Sequence, residues 1–579
     1  MTIPDRPDDI VRRLAGAEIL RFPRASAPSS AAPAAVNDES ERSSQPGASW
    51  EDAGNPGGSG HGGGSAGDDG ERDRRLGFFQ LTDLGNAERF AERQRGYLRY
   101  CAALGWLAWD GKRWKRDGAE KFVKLAEHQT VRAIQAEAAA IRNTSADYIV
   151  VAETPRKDAV WYSDKVKAWG RTSEGAQKLV SISKRAAAML SIEAEQLDAD
   201  PMCVNVQNGT LRIRKHEADP YVTLHPHNPD DFITKISPVS YDPDAICPQF
   251  DLFLDQVHPA IEGQPINAMQ RFLHQWGGLS LTGDVGEQKM TFHYGKGRNG
   301  KGVWVNTVSY VAGDYAGSIA IESFLDSGKA RAGGQATPDI ADLPGVRFLT
   351  TSEPKKGATL DEGLVKLFTG GDPMKARHLN KDFFEFRPQA KLTMQGNYRP
   401  RISGTDEGIW GRIILVPWGQ FIPPEKRDPR LFLKLQAEGS GILNRLLDGL
   451  GLWLDQGLMV PDKVKAATEA YRSDSDPLGR FLEACTRQAL GEKVQSSDFH
   501  AVFSAWAKVN GETQWTPKGL GSALIERGFV SRKSSIIYWL DVRLIKTADD
   551  FIDPHGQPRH GGMADPGPDA ADMEGDFEP

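Results

Sequence analysis

Gly295-Lys296-Gly297-Arg298-Asn299-Gly300-Lys301 is the stretch on which the reading of this chain turns. It has the G-x-x-x-x-G-K spacing of a phosphate-binding loop. Glycines let the backbone wrap a phosphate and aim N–H groups at it. A helix starting there adds a favourable dipole, and Lys301 brings positive charge to the β- and γ-phosphates. A strand-like run, MTFHY (290–294), precedes the loop, and a helix-like run, VWVNTVSYV (303–311), follows it. A glycine-rich turn without a ligand is the plainer reading of seven residues alone, and the flanking strand and helix favour a nucleotide site. Its expected contacts run from Gly295 through Gly302 and Val303. One position departs from the pattern, because Gly302 stands where a Ser or Thr hydroxyl normally ligates Mg²⁺. Water in its place, another side chain reaching the metal, and slow hydrolysis all remain open.

Working outward, VRFLTTSE (346–353) is an apolar strand ending in a carboxylate, and Glu353 is placed to polarise a water or help hold Mg²⁺. A mere strand cap is the bland alternative. KLTMQGN (391–397) is a second buried-strand candidate, ending in Asn397, which is suited to orienting the attacking water or sensing the γ-phosphate; a turn asparagine ahead of Pro400 is its alternative. Between these strands, TGGDPMKARHLNKDFFEF carries Lys375, Arg377, His378 and Lys381 beside Phe383 and Phe384. Cations next to aromatics suit a loop or hairpin that grips a single strand of nucleic acid, although a solvated turn has the same composition. Arg412 opens the apolar run that follows Gly411, where an arginine can reach a neighbouring subunit's γ-phosphate.

This order of motifs resembles a superfamily 3 helicase of the AAA+ class, and more closely the phage/plasmid primase-helicase family related to poxvirus and satellite-phage proteins. TDLGNAERF (82–90) and WDGKRW (109–114) are similar to its N-terminal helicase-associated domain. NVQNGTL (205–211), ITKISPVSYDPDA (233–245) and LTGDVGEQKM (281–290) resemble its linker, and LTTSEP, FTGGDPMKAR and GIWGRIILVPW its remaining motor motifs. The resemblance covers about residues 78–546. It implies an α/β fold: an AAA+ P-loop core with a mostly helical N-terminal domain and a winged-helix-like C-terminal one. It implies ATP and Mg²⁺ as cofactors, single-stranded and duplex DNA as partners, and a homo-oligomeric, hexameric ring. Lys301 is then the phosphate lysine, Glu353 the Walker B acid near the nucleotide's Mg²⁺, Asn397 the sensor and Arg412 the finger. Lys375, Arg377, His378 and Lys381 fall in the DNA-contacting region. Gly411 stands where the family often has another arginine. The implied activity is ATP-dependent unwinding in the replication of a phage, plasmid or integrated element. An ATP-switched origin-binding initiator and a DNA-binding scaffold with a degenerate ATPase are the rivals.

Composition agrees with a nucleic-acid partner without demanding one. The 579 residues carry a net charge of -7, but residues 1–75 hold -4 and residues 549–579 hold -8, which leaves the middle at +5. No run approaches the ~20 apolar residues of a membrane helix, and the first residues lack a secretory pattern, so the expected place is the cytoplasm, which the resemblance implies is that of a bacterial host. Cys101, Cys203, Cys247 and Cys485 are too scattered for a zinc ribbon or a disulfide framework. Gly54–Gly70 contains nine glycines, so residues 1–75 are expected to be disordered, as is the acidic tail 549–579, while residues 8–22 could form a short docking helix. Between them the expected domains are 76–250 (helicase-associated), 251–425 (ATPase), 426–476 (helical extension) and 477–548 (winged-helix-like). The Asp198/Asp200 and Asp242/Asp244 pairs read as turn chemistry and not as a two-metal primase centre, so a primase would be a separate partner.

Overall fold

The computed structural model describes residues 66–150, 159–214, 221–259, 267–326, 338–351, 353–377, 383–404, 406–533, 535–553 and 557. The chain divides into Met1–Ser65, outside the described residues together with the docking-helix candidate, and Ala66–Pro579.

Five strands build the central sheet: β1 (Met290–Tyr294), β2 (Ala316–Ile319), β3 (Phe348–Thr351), β4 (Lys391–Gly396) and β5 (Ile413–Pro417). Their spatial order is β2-β3-β4-β1-β5, all parallel, so β4 lies between the strand that feeds the glycine-rich loop and the strand that ends near Glu353. Parallel strands need both faces covered, and the alternation of side chains shows how. Ile414 and Val416 join the cluster formed by the helices Pro248–Val257, Ala268–Leu279, Lys301–Ala312 and Gly439–Gln456. Met290, Phe292, Leu349, Leu392, Met394 and Leu415 face the opposite cluster, with Val365 and Phe368 of helix Glu362–Gly370 and Tyr471 of helix Asp462–Asp474. Two buried cations close the N-terminal ends of the strands. Arg347 donates to the carbonyls of Cys203 (2.6 Å), Leu281 (2.9 Å) and Asp200 (3.1 Å), and Lys391 to those of Thr282, Asp284 and Gln389. Burial pushes the Lys391 ammonium well below its usual range.

The N-terminal part differs from expectation at two places. Residues 86–103 have a helix-like composition throughout, yet helix Asp83–Gln94 ends at Gln94, and Leu98–Cys101 pairs antiparallel with Gly105–Trp109, which in turn pairs Trp109 with Trp114 across the Asp110-Gly111 turn. Aromatic packing outweighs helix propensity there, since Trp106 meets Phe90 at 6.1 Å and Tyr100 at 5.3 Å. Secondly, order precedes the expected start at Leu76, with a helix over Ala66–Gly77. Leu76 is fully buried, and Asp73 pairs with Arg93 at 2.7 Å. Arg93 also binds Glu137 at 2.8 Å, and Glu137 holds the buried Arg89 at 2.8 Å. A polar segment that looks like linker is held by charges far away in sequence.

Residues 477–553 form a C-terminal body of three helices, Pro477–Cys485, Ser496–Val509 and Pro517–Glu526. An unexpected strand, Thr486–Gln495, follows the first helix and pairs with Ile537–Leu544, which also pairs with Ser531–Lys533. This body runs past residue 548, because Phe551 is buried in its core. Among the described residues no helix is long and apolar enough to cross a membrane.

Candidate functional site

At the C-terminal end of β1 the chain turns at Gly295, where φ is +155° and a Cβ would stand 2.3 Å from the Trp418 carbonyl oxygen and 2.6 Å from Asn299 Nδ2. Only glycine fits so close an approach. Asn299, buried, pins the loop by donating from Nδ2 to that same carbonyl (2.9 Å) and by accepting at Oδ1 from the Lys301 N–H (3.4 Å). Lys296, Gly297 and Arg298 form the exposed crest, with Arg298 in the left-handed region at φ +67°. Gly300 (φ +88°) packs against Val257 and Phe253, and the helix begins at Lys301. Among the described residues nothing accepts from the N–H groups of Gly302 or Val303, so this first turn presents free donors on the crest side.

Lys301 is 8% exposed, and its ammonium is shared between the Gly295 carbonyl and Asn397 Oδ1, the latter at 3.2 Å. Burial lowers its affinity for the proton, and the Glu353 carboxylate works against that shift. Asn397 follows β4 directly, and its backbone N–H donates to Glu353 Oε1 at 2.5 Å. Lys301, Asn397 and Glu353, up to 96 residues apart in sequence, thus meet at the C-terminal edge of three adjacent strands. His293 lies beneath, stacked on Trp304 at 5.0 Å and accepting at Nδ1 from Trp418 Nε1 (3.0 Å). Burial, with positive charge from His258 and Lys301 adding to it, depresses the His293 imidazole to about 3.

The remaining candidates lie elsewhere. Arg412 is at the opposite edge of the sheet: its carbonyl accepts from the Met290 N–H (2.7 Å) at the start of β1. Five strand residues at ~3.3 Å each put it about 16 Å from the loop of its own subunit. Its guanidinium donates to Thr369 Oγ1 (3.1 Å), the Gly408 carbonyl (2.5 Å) and Gln288 Oε1 (3.3 Å). Lys375 sits in a short hairpin, Met374–Ala376 with Phe384–Phe386, opposite Glu385. Arg377 lies over the Phe383 ring at 4.6 Å. His378 and Lys381 lie outside the described residues. Phe384–Arg387 of this hairpin line an 820 Å³ cleft together with Ala316, where β2 starts, and Gly345, ahead of β3, so the hairpin shares Arg412's end of the sheet.

Sequence reasoning assigned no role to Trp418, whose carbonyl and indole fix Gly295, Asn299 and His293 together. Nothing local marks it; the signal is only that it directly follows β5, the strand next to β1.

Comparison with known proteins gives the chain its relatives. Residues 87–259 match a family described as "D5 N terminal like". The chain is 27% identical over 268 residues to "Putative helicase L207/L206" of Acanthamoeba polyphaga mimivirus, covering 43% of this chain and 28% of that protein. It is 27% identical over 275 residues to "Putative helicase 022R" of Frog virus 3, covering 44% of this chain and again 28% of that protein. The chain therefore spans only a little over a quarter of the length of these curated relatives. Among solved structures, the A-form apo NrS-1 C-terminal region aligns with 12% identity and a TM-score of 0.36, covering 57% of this chain and 82% of that one. The domain match over 87–259 and the viral helicase relatives together support a likeness to the phage and viral primase-helicase family.

Proposed function

We propose that this chain is an ATP-dependent DNA helicase of superfamily 3, an AAA+ motor that acts as a homo-oligomeric, hexameric ring in the replication of a mobile element. The observation that carries the reading is the junction of Lys301, Asn397 and Glu353 at the strand ends beside a helix N-terminus with free N–H donors. Those donors and the crest of the loop, Gly295 to Val303, suit a triphosphate, and Lys301 is already desolvated for close contact with one. Bound Mg²⁺ would neutralise phosphate charge as the γ-phosphoryl leaves. Glu353 has a second carboxylate oxygen, without a partner among the described residues, with which to orient a water and take its proton. Asn397, tied to both, would report the state of the γ-phosphate to β4.

Arg412 is too far from its own loop to act there. A ring would set that edge of one subunit against the loop of the next, which suits a finger acting in trans. The hairpin bearing Lys375 and Arg377 shares that edge and would grip single-stranded DNA, as would His378 and Lys381. The C-terminal body, read as a winged helix, exposes Arg487, Lys493, Arg532, Lys533 and Arg543 on its sheet, a charge set suited to duplex phosphates. A separate primase would complete the replication unit in the cytoplasm of a bacterial host. Unwinding of a forked duplex by the full chain with ATP and Mg²⁺ tests the reading. ATP hydrolysis without strand separation would favour an origin-binding initiator, and no hydrolysis at all a scaffold.

A further inference from the structure

Gly302 deprives the loop of the hydroxyl that would face a nucleotide-bound cation, and the heavy atom nearest to a Cβ built on Gly302 is Gln395 Oε1, at 3.9 Å. Gln395 lies on β4, in register with His293 of β1, and two residues before Asn397. By strand alternation it shares the sheet face of Thr393, which is the face covered by the helix that Lys301 begins. Half-buried, its carboxamide has no hydrogen-bond partner among the described residues. Its amide atoms are not sealed from solvent, so the Oε1 is open to water or to a ligand in the space before Gly302. A serine hydroxyl at 302 and the amide oxygen of Gln395 would reach the same space from opposite walls.

We propose that Gln395 supplies the oxygen that Gly302 lacks, with its Oε1 entering the ligand shell of the divalent cation that accompanies the nucleotide at Lys301. Amide carbonyl oxygens are ordinary ligands of hard cations, so the exchange of a hydroxyl for a carboxamide conserves the chemistry. The proposal rests on the nucleotide reading of the loop and adds to it the identity of a metal-facing residue.

Binding of a fluorescent ATP analogue to the full chain, titrated with Mg²⁺ and repeated in EDTA, tests this without requiring turnover. Gln395→Ala is expected to raise the half-saturating Mg²⁺ concentration about 10–100-fold while leaving the affinity in EDTA within about twofold. Adding Gly302→Ser to Gln395→Ala should restore most of the Mg²⁺ response, because the hydroxyl returns to the same space. Gln395→Glu keeps the side-chain shape and should lower the half-saturating Mg²⁺ concentration, which gives an independent reading if Gln395→Ala folds poorly. An unchanged Mg²⁺ response in Gln395→Ala and Gln395→Glu, or a loss in both that Gly302→Ser does not repair, overturns the proposal and leaves the nucleotide site standing. Failure of the unmutated chain to bind the analogue overturns the nucleotide reading, and this proposal with it.

Discussion

Alanine at Gly295 and alanine at Gly297 should behave oppositely although only one residue separates them. A Cβ on Gly295 lands 2.3 Å from the Trp418 carbonyl oxygen and 2.6 Å from Asn299 Nδ2, while one on Gly297 meets nothing within 4 Å. Ordinary contact begins near ~3.5 Å, so Gly295→Ala forces a separation of about 1 Å between the loop and the end of β5. That movement breaks the buried 2.9 Å bond from Asn299 to Trp418, a loss of about 1–3 kcal/mol. The φ of +155° adds about 1–3 kcal/mol for any residue with a Cβ. Together these come to about 2–6 kcal/mol, borne partly by global stability and partly by the loop. If 2 kcal/mol falls on the loop alone, nucleotide affinity drops about 30-fold. Urea unfolding followed by tryptophan fluorescence reads the first share, and equilibrium binding of a fluorescent ATP analogue reads the second. Gly297→Ala should leave the unfolding free energy within error, because its Cβ meets no protein atom. Wild-type behaviour of Gly295→Ala, or equal destabilisation from Gly297→Ala, would refute the packing described for the loop.

Other outcomes follow from the same geometry. Burial depresses His258 and His274 to about 4 and His293 to about 3, against about 6.5 in the unfolded chain. The unfolded state alone takes up these protons as pH falls below 6.5, so the stability they contribute is complete above that value and lost toward pH 4. The loss should be on the order of 5 kcal/mol between pH 7 and pH 5, and a urea midpoint unchanged over that range would contradict it. Arg412→Ala should keep nucleotide affinity within a few-fold and lose about 10³ or more in turnover. Once native mass spectrometry has confirmed mixed rings, combining it with Lys301→Ala should restore some activity; no recovery would argue against action in trans. Phe551→Ala should destabilise the C-terminal body by about 3–5 kcal/mol, read as an earlier unfolding step, and wild-type melting would show that the core ends before it.

Three inner strands of the sheet could be read from the sequence because each is a short apolar run just ahead of a candidate site residue: Tyr294 before the loop, Thr351 before Glu353, and Gly396 before Asn397; β2, a partly exposed AGSI, carries no such pattern and went unread. Parallel strands buried on both faces leave that pattern, and the junction of Lys301 with Asn397 and Glu353 follows once the strands lie side by side. What escaped depends on partners distant in sequence. Helix Ala66–Gly77 has a linker's composition, and only the Arg93 and Glu137 contacts explain its order. The strand Leu98–Cys101 continues a helix-like pattern and is turned to extended form by its packing on Trp106. Strand Thr486–Gln495 is largely exposed and polar, with a bulge between Gln488 and Lys493, and so lacks the alternation that marks a strand. Gln395 drew no notice because its meaning depends on Gly302, 93 positions earlier and across the sheet.

The central claim is that the glycine-rich loop and the Lys301–Asn397–Glu353 junction hydrolyse ATP in the service of DNA unwinding. Phosphate release from ATP and Mg²⁺ by the full chain, with and without single-stranded DNA, beside Lys301→Ala, tests it most directly. The account predicts hydrolysis that DNA stimulates and that falls by about 10² or more in Lys301→Ala with the fold intact, since removing a charge that stabilises the transferring phosphoryl typically costs a few kcal/mol. Near-normal hydrolysis in Lys301→Ala, or no hydrolysis by the unmutated chain, would contradict it.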